Sequence, residues 1–346
     1  MLPAMLHAAL VDLAVLADVM ALLGMAQAFA GWALARRLAS RLVETDGVSL
    51  LPRALPPISV LKPLYGDEPL LEEALASFIT QNYPGFQLIF GVRDPADPAL
   101  AVVARLRARH PAADIAVVVD PRLHGANGKV SNLINMMGAA RHDILVIADS
   151  DIHAAPGHLR RVVEALLQPG VGLATTLYTG RPAASGLAGR LGCSYIGHTF
   201  LPGALVGRAL GRQDCLGATM ALRRATLEAA GGFPALLDQI ADDAVLGQMV
   251  RAQGLRVALA ATVPATTVAE TTLPALLRHE LRWARTTRSL APLGFAASVV
   301  QYPLVWAALA ILLAAATSGM LWALTIAVMV WAARACAASG IDAALG

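Results

Sequence analysis

Ile144-Leu145-Val146-Ile147-Ala148-Asp149-Ser150-Asp151 decides how this chain is read. The first five residues are apolar and mostly β-branched. The run is too short to be a helix by default and reads as a strand buried on both faces of a parallel sheet. Open sheets of that kind bind ligands in the crevice beyond the carboxyl ends of their strands. Two carboxylates one residue apart at such an end suit a hard divalent cation shared with substrate phosphates. The triplet therefore reads as a metal–diphosphate site, with Asp149 and Asp151 as ligands and Mg2+ or Mn2+ as the ion. An isolated Asp-x-Asp is mostly a solvated turn; the strand before it tips the balance.

Similar apolar runs lie at residues 58–61, 87–92, 115–119, 171–175 and 218–222, with helical patterns such as 69–80 and 98–109 between the early ones. This alternation predicts an α/β domain over residues 52–285, built on a mostly parallel sheet with helices on both faces. No Gly-x-Gly-x-x-Gly follows the first strand and no Gly-x4-Gly-Lys-[Ser/Thr] loop occurs, which argues against a dinucleotide-dependent dehydrogenase and a P-loop NTPase.

Several strand ends carry polar residues that would share one sheet edge. Asp94 follows the second strand, where it either accepts hydrogen bonds from a nucleotide or belongs to a turn and helix cap in Asp94-Pro95-Ala96-Asp97-Pro98. After the third comes the loop His124 to Lys129, then Ser131 and Asn132; Lys129 either meets a phosphate as a point charge or is a surface lysine. Asp242-Asp243 opens a helical pattern, as dipole partners or as a general base made more basic by its neighbour. Arg282 is suited to a leaving diphosphate. Trp283 beside it packs under an acceptor or anchors at a membrane interface.

The 346 residues are 57% hydrophobic and 15% charged, with a mean hydropathy of +0.59. That is too apolar for an ordinary soluble enzyme. The net charge of +3 comes with no dense basic stripe interleaved with aromatics, so no nucleic-acid partner is expected. Cys193, Cys215 and Cys336 lack metal or disulfide spacing, and a reducing compartment is expected. Apolar segments at 8–35, 290–316 and 320–338 are candidate membrane spans, the last two separated by Thr317-Ser318-Gly319. Tyr302-Pro303 interrupts the middle one as a kink or a re-entrant start. No basic region precedes the first span, as a cleaved signal peptide would require. Arg36, Arg37 and Arg41 after the first span, and Arg278, Arg282, Arg285 and Arg288 before the second, put the central domain in the cytoplasm. The expected layout is a span and basic flank at 1–41, the α/β domain at 52–285, and two spanning or re-entrant helices at 290–338. Between them, residues 181–212 mix arginines with leucines and aromatics around several glycines and prolines. This stretch either lies at the lipid headgroups or is plain domain surface, and His198 within it is a candidate for a polar headgroup.

The ordered set Asp94 to Asp97, Gly128-Lys129-Val130-Ser131-Asn132, Asp149-Ser150-Asp151, Gly231-Gly232-Phe233, Asp242-Asp243 and Arg282-Trp283 resembles the membrane-bound GT-A glycosyltransferases. It is most like the ceramide glucosyltransferase family and, within it, the bacterial hopanoid-biosynthesis glycosyltransferases. Leu61-Lys62-Pro63-Leu64-Tyr65-Gly66 also looks like that family. The resemblance implies that Asp94 contacts the nucleotide, that Lys129 and Asn132 lie near the diphosphate, and that Asp149 and Asp151 bind the metal. It further implies that Asp243, beside Asp242, is the catalytic base and that Arg282-Trp283 ends a Gln-x-x-Arg-Trp element. His279 stands where that element has Gln, which puts its acceptor or diphosphate role in question. Cys215 resembles a cysteine near the substrate pocket, and otherwise reads as a small buried residue. The implied reaction is metal-dependent, inverting transfer from a UDP-sugar, by this resemblance UDP-N-acetylglucosamine, to a lipid hydroxyl such as that of bacteriohopanetetrol, at the bacterial inner membrane. Glucosylation of ceramide or diacylglycerol is the alternative. A processive polysaccharide synthase shares the motifs but usually needs more than three spans, and a non-enzymatic scaffold leaves the ordered carboxylates unexplained.

Overall fold

The structure, a computed structural model, describes residues 2–47, 55–317 and 319–345. The expected domain start at 52 and Ser318 of the inter-helix turn lie outside the described residues. Among the described residues ten strands form two sheets. The large sheet takes β1 (Ile58–Pro63), β2 (Phe86–Val92), β3 (Ile115–Val119), β4 (Ile144–Ala148), β6 (Val171–Thr175), β8 (Thr219–Arg223) and β9 (Arg256–Leu259). Its order is β3-β2-β1-β4-β8-β6-β9. A small sheet, β5-β10-β7, is made of β5 (Ile152–His153), β7 (Thr179–Pro182) and β10 (Ala265–Val268).

Every residue of β4 is buried, as an apolar run covered on both sides requires. Side chains alternate between two cores because strand periodicity is two. Ile58, Val60, Phe90 and Val146 pack with Phe78 and Leu106 and with Leu159 and Val162. These come from the helices Leu71–Ile79, Ala99–Arg109 and His158–Leu166. Leu61, Ile89, Leu145 and Ile147 pack on the other face with Leu133, Met136 and Leu246, from the helices Gly128–Met136 and Asp242–Ala252. Truncating Leu145 to Ala would cost about 2–5 kcal/mol. The expected α/β architecture with a mostly parallel sheet is what forms.

Two features of the sheet position the site. The chain builds β1, β2 and β3 outward, then returns to place β4 on the other side of β1, with Leu61 opposite Ile147. The crevice beyond β1 and β4 is thus a topological switch point. Strand β8 runs antiparallel to β4, pairing Thr219 with Ala148. The chain therefore enters β8 at the same edge where β4 ends.

The chain divides into two compact units: one of residues 41–194 and 211–280, holding both sheets, and one of residues 1–40, 195–210 and 281–346, whose described elements are helices. Residues 195–210, expected in the central domain, thus group with the terminal helices. In the helical unit Met5–Leu42 and Met320–Leu345 are long and apolar enough to cross a membrane. Pro292–Gln301 and Pro303–Ala314 form a third, broken candidate bent by 68°. Proline at 303 has no N–H to continue the helix, so the interruption expected at Tyr302-Pro303 is a sharp bend.

Candidate active site

Asp149 leaves the end of β4, and Asp149 to Ile152 form a turn in which the Ile152 N–H donates to the Asp149 carbonyl (3.4 Å). The turn is held from both sides. Asp151 accepts a hydrogen bond from the Thr266 hydroxyl at its carboxylate (2.5 Å) and from the Thr267 N–H at its carbonyl (3.1 Å), so β10 anchors it. The Lys62 ammonium, at the end of β1, donates to the Asp149 carbonyl at 2.7 Å.

Lys129 lies in the first turn of the helix Gly128–Met136, capped by Asn127, whose side chain accepts from the Val130 N–H (3.1 Å). Asn127 also donates to the Gln239 carbonyl (2.7 Å) and, through its backbone, to that of Leu237 (2.8 Å). These bonds tie the Lys129 loop to the segment that leads into Asp242. The result is one cation between two acidic pairs: Lys129 Nζ lies 2.5 Å from Asp149 Oδ1 and 3.8 Å from Asp242 Oδ2. Burial works against the Lys129 charge, but Asp149, Asp242 and Asp243 outweigh it and hold the lysine protonated well above its ordinary range.

Asp242 and Asp243 open the helix Asp242–Ala252. Asp243 accepts the Ala244 N–H at 2.7 Å. Burial, then the Asp242 charge, push the Asp243 carboxyl up to about 6, against the pull of Lys129. Gly217, just before β8, comes so near that a Cβ there would stand 2.9 Å from Asp243 Oδ2. Cys215 is buried beneath the helix against Gly247 and belongs to the core; burial raises its thiol.

The remaining expected residues are spread more widely. Asp94 sits at the C-terminal end of β2, exposed, with its carboxylate on the Ala96 N–H (2.8 Å), which is the turn geometry anticipated as one of its two readings. Buried Asp97 caps the next helix through the Ala99 N–H and also accepts from the Gly66 N–H. Asn132 faces inward, donating to the Gly91 carbonyl (2.8 Å) and stitching its helix to β2. His279 is hydrogen-bonded to Glu270. Arg282 and Trp283 follow on the same helix, Leu273–Leu290, where it passes into the helical unit, and Trp283 packs near Phe200 with ring centroids 6.3 Å apart. His198, also in the helical unit, lies in a π-helical turn with its Nε2 2.7 Å from Asp342.

Sequence reasoning gave no role to Lys62, Glu68, Thr266 or Tyr178. Burial raises Glu68, Ser150 hydrogen-bonds it, and its Oε2 is buried with no hydrogen-bond partner. Tyr178 is raised by burial and by the field of Asp243, Asp149, Asp151 and Glu280. A lysine inside an apolar strand was a visible signal. Glu68 and Thr266 had none, since both act through contacts formed only in the fold.

The residues fit a divalent cation. Burial and the Asp149 charge raise Asp151, and the orphaned oxygen of Glu68 adds to an excess of buried acceptors. Among the described residues no set of three His, Cys, Asp or Glu side chains forms a ready cage.

The α/β fold, with its mostly parallel sheet and switch-point crevice, is that of the GT-A glycosyltransferases. The fold is shared with a mannosyltransferase from Pyrobaculum calidifontis in complex with GDP-Man and Mn2+, at a TM-score of 0.54 and 21% identity over 95% of this chain and 97% of that one. The chain belongs to glycosyl transferase family 21, whose family model matches residues 16–343. It is 24% identical to ceramide glucosyltransferase 1 of Caenorhabditis elegans over 69% of this chain and 51% of the relative. It is 34% identical to the ceramide glucosyltransferase of Komagataella phaffii over 32% and 22%. The chain thus spans about half, or less, of the length of these relatives.

Proposed function

We propose that this protein transfers a sugar from a UDP-sugar to a hydroxyl of a membrane lipid, inverting the anomeric carbon. The observation that carries the reading is the meeting of Asp149 and Asp242 on Lys129, which joins a diphosphate end and a base end in one crevice. Asp243 takes the proton of the acceptor hydroxyl; the oxygen bonds to the anomeric carbon, and the bond from that carbon to the β-phosphate oxygen breaks, its electron pair leaving with UDP. A carboxyl drawn up to about 6 is a stronger base than a free aspartate and is still ionised at neutral pH. Lys129 offers positive charge to the leaving diphosphate, and the same reading assigns Arg282 to that task. Asp149 and Asp151 would hold Mg2+ or Mn2+, which supplies further charge neutralisation there. Asp94 is assigned to the nucleotide, and Trp283, His198 and His279 to the acceptor side, while Cys215 stays with the core.

The apolar helices support a lipid acceptor and a multi-pass membrane protein, and the arginine flanks support a cytoplasmic catalytic domain at a bacterial inner membrane. UDP-N-acetylglucosamine and a hopanoid polyol are the donor and acceptor the sequence resemblance favours. Glucosyl transfer to ceramide is the second reading, favoured by the relatives named above. The test is the full chain in detergent or nanodiscs, given a panel of nucleotide sugars with bacterial lipid extract or ceramide. UDP release that depends on added lipid, with a glycolipid identified by mass, is the expected result. Release without lipid, or none with any donor, rejects the reading.

A further inference from the structure

Lys62 is the fully buried cation of this site: its relative exposure is 0% although it carries an ammonium. It stands at the C-terminal end of β1, at the switch point, with its Nζ over the Phe78 ring 3.7 Å from the centroid. Burying such a group is costly unless its donors are used and its charge is met. Here no carboxylate lies within ion-pair distance of it among the described residues. Its hydrogen bond goes to a backbone atom, the Asp149 carbonyl at 2.7 Å. That carbonyl is the first residue of the turn that projects Asp149 and Asp151, and it also takes the Ile152 N–H at 3.4 Å. The far end of the turn is fixed by Thr266 and Thr267.

We propose that Lys62 is a positioning residue of the donor site, pinning the Asp149 carbonyl from beneath so that the two carboxylates point at one common locus. This rests on the reading of Asp149 and Asp151 as the cation–diphosphate pair. The pinning needs only an N–H donor at Nζ, which both the ammonium and the neutral amine supply. The Phe78 ring holds the side chain against the sheet.

The variant Lys62→Met keeps length and volume and removes the donors. Two measurements on the full chain test it: thermal unfolding without ligands, and calorimetric titration of Mn2+ and UDP, together and separately. The expected result is a folded protein whose Mn2+-dependent UDP affinity falls by roughly 10–100-fold, as for loss of a residue that orients a metal ligand. Wild-type affinity in the variant overturns the proposal. So does tighter binding of Mn2+ alone, because that would mean Lys62 acts only through its charge. If Lys62→Met does not fold, Phe78→Leu leaves the lysine and its acceptor in place while removing the ring under it. A severalfold loss of Mn2+-dependent UDP affinity in that variant upholds the proposal, and unchanged affinity overturns it. Wild-type protein that binds no UDP with Mn2+ instead rejects the reading of the site itself.

Discussion

The two acidic pairs of the crevice share residue type and a common lysine, yet their surroundings differ. Asp149 and Asp151 are braced: by Lys129 on one carboxylate, by Thr266 on the other, and by Lys62 on the backbone. Among the described residues the Asp243 carboxylate is held only by its own helix, at Ala244, and it is left with a raised proton affinity. Under the proposed function, the braced pair keeps its geometry under a ligand and the looser one exchanges a proton. Environment sorts identical side chains into different tasks, as in other paired-carboxylate enzymes.

The largest effect should come from the proton-exchanging pair. Asp243→Asn is expected to lower lipid-dependent turnover by about 10²–10⁴-fold with UDP affinity kept; equal losses in both would erase the contrast between the pairs. The wild-type rate should climb as pH rises through about 6, where Asp243 ionises, and level off above. A profile flat from pH 5 to 8 would take the base role away from Asp243. Next, Thr266→Val releases Asp151 and should weaken Mn2+-dependent UDP binding roughly 10–100-fold; calorimetry that shows no change would mean the bracing is not needed. Gly217→Ala pushes a methyl group against Asp243 Oδ2 and should slow turnover by about tenfold, since sub-ångström misplacement of a catalytic group is costly. UDP affinity serves as the control that must not move. The smallest effect is on stability. Folding raises Asp243 from its ordinary 3.8 to about 6, so its ionisation costs stability as pH climbs between those values. Asp243→Asn removes that cost: the variant should melt a few degrees above wild type at pH 7 and level with it at pH 3.

Much of this was legible beforehand because burial writes itself into apolar runs. Strands β3, β4 and β6 have the bounds read from sequence, β2 begins one residue earlier, and β8 is shifted by one residue at both ends. The direction of β8 was not legible, since Thr219–Arg223 is the same apolar run whichever way it pairs. The short strands β5, β7, β9 and β10 went unseen, because two to four residues carry too little periodicity. The acidic pairs were found as motifs. Asn132 was assigned from its motif to the diphosphate, whereas its side-chain amide donates to the Gly91 carbonyl. Thr266 could not be found, as it meets Asp151 only when β10 closes on β5.

Strand β8 runs against its neighbours, so residues 211–218 arrive at the crevice just where β4 has finished. The sheet is sewn from two lengths of chain, and the seam passes through the crevice. Strands β1 to β4 carry the turn with Asp149 and Asp151, while the second length brings Gly217 and then Asp243 to it. One side of the cleft can therefore change by insertion or exchange in the second length while the first length keeps its strands and its turn.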